Sequence, residues 1–135
     1  MVYNSLTNEY NQGKNDCVIV SIANFLKCDY NKVINALYSV GGIEAIERLP
    51  KTGVSLPHTV DVLKHLTRRH WIIKNPRRGS EKFTGIASWH KPGRNQGHVT
   101  ILQCGIVKET NGERIWIDEY RKRSGYVLRA IIAVI

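Results

Sequence analysis

The hydrophobic period of this chain changes once, near residue 70, and that change limits the fold more than any other feature. Before it, apolar residues recur at helical spacing. Val18, Ile19, Ile22, Ala23, Phe25 and Leu26 give one segment a wide apolar face, while Val33, Ile34, Leu37 and Tyr38 stripe the next. Asp16 and Asp29 stand at the N-cap positions of these two helices. Gly41-Gly42 breaks the second, and a short helix over 43–49 follows, stopped by Pro50. Ser55 to Pro57 opens another helix, running to about Arg69, with Val60, Leu63 and Leu66 facing inward. After residue 70 the pattern is that of strands, predicted over 71–74, 83–89, 98–108, 113–119 and 126–134. Asn111-Gly112 is a strong hairpin signal between the third and fourth. Helices first and an antiparallel sheet second predict an α+β fold.

The 135 residues fit a single domain spanning 1–135, with no internal repeat, low-complexity stretch or linker. An apolar share of 42% and a charged share of 23% suit a soluble globular protein. The first residues lack the basic and apolar regions of a signal peptide, and no apolar run reaches the roughly 18 residues of a membrane span. A cytoplasmic protein without a membrane partner is the simplest expectation. Cys17, Cys28 and Cys104 are odd in number and show no CxxC spacing, which argues against a disulfide framework or a structural zinc site. His58, His65 and His70 do not stack on one helical face, so no metal is expected, and no nucleotide-binding glycine loop is present. The net charge of +9 gathers in clusters such as Arg68-Arg69-His70 and Arg121-Lys122-Arg123. Such an excess suits an acidic protein or nucleic acid as a partner, or simply a solvated basic surface.

Chemistry concentrates at the start of the first helix. Cys17 begins it, where unpaired backbone N–H groups and the helix dipole favour a thiolate. A thiol nucleophile also needs a base within hydrogen-bond reach and a donor for the developing oxyanion. His98, at the start of a strand after Gly97, is the candidate base. Asp118, on the following strand, is the candidate orienter of its ring. A regular hairpin around Asn111-Gly112 sets 105 opposite 118 and 98 opposite about 125. Asp118 therefore reaches His98 only through a bulge, a bend or another pairing, or else a different residue orients His98. Asn15, Asp16, Trp89 and Gly97 are the candidate cleft residues around this constellation.

The order of Gln12, Asp16-Cys17 on a helix, Gly97-His98-Val99-Thr100-Ile101 and then Trp116-Ile117-Asp118 resembles the papain-like cysteine peptidases. The likeness is greatest to the peptidase domains that process double-glycine bacteriocin leaders, and it spans roughly residues 10–120. It implies a papain-like fold with the nucleophile on the central helix, no cofactor, and a protein or peptide substrate. It implies a Cys17–His98–Asp118 triad, with the Gln12 side chain and the Cys17 backbone N–H holding the oxyanion. The chain departs from the family in carrying Val18 where a glycine follows the cysteine, and in spacing Gln12 five residues before Cys17 where six is common. Asn11 and Asn15 are the alternative donors. Deamidation, transamidation and acyl transfer use the same triad, and a non-catalytic basic binding module is the reading from outside enzymology. Leader peptidases are usually fused to a transporter. A free-standing domain would suit a bacteriophage or mobile-element product working in a host cytoplasm.

Overall fold

The first helix forms where the apolar positions are densest. The computed structural model describes residues 15–77, 79–93 and 97–134. Helix α1 (Cys17–Leu26) buries Val18, Ile19, Val20, Ile22 and Ala23. It ends where Lys27 adopts the left-handed conformation and its N–H bonds Ala23 O. Asp16 precedes it but makes no side-chain cap. The carboxylate is only 2% exposed and instead accepts a hydrogen bond from Tyr30 Oη at 3.0 Å. Asp29 likewise makes no side-chain cap on α2 (Tyr30–Thr52). The expected break at Gly41-Gly42 is a kink within α2, centred on Gly42 with φ 71° and ψ −170°. The second segment runs past Pro50 to Thr52. Helix α3 (Leu56–Thr67) is capped by Ser55, whose hydroxyl accepts from the His58 N–H at 3.2 Å.

The strands are β1 (Trp71–Lys74), β2 (Gly85–His90), β3 (Gly97–Gln103), β4 (Ile106–Lys108), β5 (Arg114–Trp116) and β6 (Val127–Val134). They form one six-stranded sheet in the order β1-β6-β2-β3-β4-β5, with every pairing antiparallel. The protein is therefore α+β, as the change of period implies. The apolar run of β6 explains its inner place: Ala130, Ile131, Ile132 and Ala133 are all buried.

Two expected strands are different in the structure. The span 98–108 is not continuous. Cys104 and Gly105, at φ 50° and 82°, reverse the chain in a two-residue turn, and Leu102 pairs with Val107. The span 113–119 is a short strand followed by helix α4 (Ile117–Ser124). Asp118 and Glu119 in the first turn, Arg121, Lys122 and Arg123 in the last, and Gly125 at φ 73° complement the helix dipole and stop the helix.

Both faces of the sheet are covered. On one, Ile86, Val99, Ile101 and Ile132 pack with α1, α2 and α3. On the other, Ala87, Trp89, Leu102, Val107, Leu128 and Ile131 pack with Ile117 and Tyr120 of α4. Strands β2 and β6 approach so closely at Gly85 that a Cβ there would lie 2.1 Å from Ile132 O. Backbone cannot yield as a flexible side chain does. Gly85→Ala should therefore lower stability by about 3 kcal/mol, read as a fall in the urea midpoint at unchanged slope. Among the described residues, no helix is long and apolar enough to cross a membrane.

Candidate active site

Local structure fixes the N-terminus of α1 on both sides. Asn15, left-handed at φ 58°, donates from Nδ2 to Pro50 O at 2.8 Å and ties the approach to α1 to the end of α2. The Tyr30–Asp16 hydrogen bond ties the start of α2 beneath it. One turn beyond Cys17, Ser21 Oγ donates to Val99 O at 3.2 Å, next to His98 in sequence. These contacts hold the first turn of α1 against the start of β3, so that Cys17 and His98 line one cleft and the thiol acts on the His98 ring.

The other side of that ring is occupied by Glu109. His98 Nε2 lies 2.8 Å from Glu109 Oε2, which leaves Nδ1 as the ring nitrogen for the thiol. The same Oε2 accepts the Thr110 N–H at 3.0 Å, and Oε1 accepts the Tyr120 hydroxyl at 2.6 Å. The turn at Cys104-Gly105 makes this possible. It pairs Lys108 with Ile101, so the next step of the register sets Glu109 opposite Thr100, two residues from His98. Tyr126 stacks on the imidazole with ring centres 5.6 Å apart, and Tyr120 packs 4.9 Å from the Trp89 ring.

The electrostatics follow from these partners. Burial disfavours the charged imidazole, but hydrogen bonds and charge from Cys17 and Glu109 outweigh that and raise the His98 pKa to about 9. For Glu109, burial acts upward. The hydrogen bonds from His98 and Tyr120, the His98 charge and the Thr110 N–H prevail and hold its carboxyl below the usual range. Tyr120 is pushed upward by burial and by its bond to Glu109, so it stays a neutral donor. An imidazolium between a sulfur and a carboxylate is the state these contacts favour at neutral pH.

Several expected site residues lie elsewhere. Asp118 does not orient His98: its side chain is 85% exposed on the outer face of α4, 3.4 Å from Arg121 Nη1. Tyr120, two residues on, is what α4 contributes to the site. Trp89 is fully buried and donates from Nε1 to Thr100 Oγ1 at 2.9 Å. It supports the strand under His98, its register partner, and does not line the cleft. Asp16 is buried against Tyr30 and does not line it either. Asn15 and Gly97 do line it, beside Cys17 and His98. Gln12 lies outside the described residues.

The cleft has a volume of about 660 Å³ and runs between the sheet and the loop joining α2 to α3. The other thiols are unlike Cys17 in setting. Burial pushes the Cys28 thiol up, while Cys104 is exposed at the β3–β4 turn. Among the described residues no cluster of three or more His, Cys, Asp or Glu is arranged to hold a metal ion. Comparison of the chain with protein-family models, curated proteins and solved structures finds no match.

Proposed function

We propose that this chain is a papain-like thiol hydrolase that cleaves an amide bond in a peptide or protein substrate. The observation that carries the reading is that Cys17 and His98 line one cleft while Glu109 holds the far side of the His98 ring. In the mechanism, the Cys17 thiolate attacks the amide carbonyl carbon, and the carbonyl π pair moves to oxygen. The Cys17 backbone N–H, one of the donors a helix N-terminus leaves unpaired, receives that oxyanion. Gln12 is its partner by resemblance to the family. As the tetrahedral adduct collapses, the C–N bond breaks and His98 delivers its proton to the departing amine. A thioester remains. Neutral His98 then takes a proton from water, the hydroxide oxygen attacks the thioester carbonyl, the C–S bond breaks, and the carboxylic acid departs from a restored Cys17 thiolate and protonated His98.

Glu109 takes the place that Asp118 holds in the family's pattern. A carboxylate there needs to accept from the imidazole and to be held still, and the Thr110 and Tyr120 donors supply the second condition. Cys17, Cys28 and Cys104 form no disulfide, which suits a reducing cytoplasm. The basic run on α4 is a weak argument for a binding module. Arg121 pairs with Asp118, and Arg123 pairs with both Glu113 and Glu119.

Site-resolved alkylation tests the reading. Accessibility alone ranks the exposed Cys104 ahead of the half-buried Cys17. With iodoacetamide at pH 7 and peptide mapping over time, Cys17 should react at least about tenfold faster than Cys104, as an activated thiol does. A Cys17 rate equal to or below that of Cys104 would exclude an activated nucleophile.

A further inference from the structure

The irregularity in β6 aims one side chain into the cleft. Ser88 of β2 pairs with Ala130, but the next residue, Trp89, pairs with Leu128. Arg129 therefore has no partner in β2 and is the extra residue of a β-bulge. The bulge also shifts the alternation. Leu128 and Ile131, three residues apart, both pack on the α4 face of the sheet. A regular strand would bring positions two apart to one face. The displaced Arg129 is exposed and lines the cleft that holds Cys17 and His98. It makes no ion pair among the described residues.

The charge of the cleft is one-sided. Lys51, at the end of α2, and Arg129, from the sheet, both line it, and no Asp or Glu does so among the described residues. Distance along the sheet sets the scale. Trp89 pairs with His98 on one side and Leu128 on the other, so the three lie in one row across β3, β2 and β6. Two strand spacings separate β3 from β6, about 10 Å. An extended peptide advances roughly 3.3–3.6 Å per residue, so that separation corresponds to about three residues of substrate.

We propose that Arg129 is a specificity-determining residue that binds a substrate carboxylate two to three residues from the reacting amide, making this a site for acidic peptides. The inference rests on the hydrolase reading of the cleft and adds the substrate class. A guanidinium suits the role because its planar donors take a carboxylate in a bidentate fork. A bulge gives that side chain a fixed origin on the sheet, where a loop would leave it mobile.

Epoxysuccinyl peptides, built to extend to either side of the reactive carbons, serve as the probe. Each set carries Glu, Gln or Lys at the second or third residue, and the readout is the second-order rate of Cys17 alkylation by mass spectrometry. The comparison is the Glu-to-Lys ratio within each protein. In the unsubstituted protein the ratio should reach about tenfold in one set and shrink as salt rises, as expected for a partly exposed charge pair. It should fall toward unity in Arg129→Ala, reverse in Arg129→Glu and survive in part in Arg129→Lys. A ratio unchanged in Arg129→Ala and Arg129→Glu would overturn the role of Arg129. A ratio near unity in every set, with Cys17 readily alkylated by the Gln peptides, would overturn the acidic specificity and leave the thiol reading standing. Failure of every peptide and of iodoacetamide to modify Cys17 would instead overturn the hydrolase reading, and this inference with it.

Discussion

Replacement of His98 by alanine should slow cleavage of a quenched-fluorescent peptide library by about 10³-fold or more, the range for loss of a group that moves the proton in both halves of a reaction. The same variant should slow alkylation of Cys17 by iodoacetamide, because the sulfur loses its proton acceptor. Alkylation of the exposed Cys104, in the turn beyond the far end of β3, should not change. The pH profile carries a sign. His98 keeps its proton up to about pH 9. The departing amine needs that proton, so cleavage should hold from neutral pH to about 9 and fall above it. The same shift acts on stability. A folded-state value above the ordinary 6.5 makes the ion-pair contribution complete below pH 6.5, and that contribution is lost as pH rises through about 9. A cleavage rate in His98→Ala within tenfold of the parent would refute the assignment of His98.

Glu109→Ala should reduce cleavage by about 10²-fold or more, whereas Asp118→Ala should change it less than about twofold. The contrast arises from position. Glu109 accepts three hydrogen bonds at the back of the imidazole, and Asp118 sits on the solvent side of α4 in an exposed pair with Arg121. Exposed pairs of this kind contribute little to stability either. Removing the Glu109 carboxylate leaves His98, Tyr120 and the Thr110 N–H without their acceptor. It should therefore also destabilise the fold by about 1–3 kcal/mol. Glu109→Gln separates charge from geometry. Its amide oxygen can keep the His98 and Thr110 donors while its NH₂ turns to the Tyr120 hydroxyl, which can accept. What is lost is the negative charge, so the alkaline limb of the pH profile should move down from about 9 toward 6.5. A larger loss in Asp118→Ala than in Glu109→Ala would restore Asp118 as the orienting residue.

The difference between these two carboxylates shows how far the sequence could be read. The α1 helix, the cysteine that begins it and the strand bearing His98 follow from local signals: an apolar stripe at helical spacing, a cysteine at its start, and a glycine before an alternating run. The orienting residue does not, because it depends on register. Reading 98–108 as one strand sets 105 opposite 118 and leaves Asp118 out of reach of His98. The Cys104-Gly105 turn breaks that strand, adds a hairpin and carries Glu109 back beside the histidine. Its signal was a glycine inside an apolar run, which is weak when a stronger Asn-Gly turn follows a few residues later. Helix α4 had a clearer signal in its acid-first, base-last charges and closing glycine, masked by the β-like run Ile115-Trp116-Ile117 before it.

What the sequence alone determined is the α+β class, the helical first half, a last strand over 126–134 and the placing of Cys17 and His98 at element ends. Each follows from hydrophobic period, which acts within a few residues. Only the tertiary structure decided that Glu109, and not Asp118, stands behind His98, that Tyr120 holds Glu109, that Trp89 supports the sheet, and that Arg129 enters the cleft. Those choices depend on strand register. A single tight turn or one extra residue in a strand changes which side chains share a face.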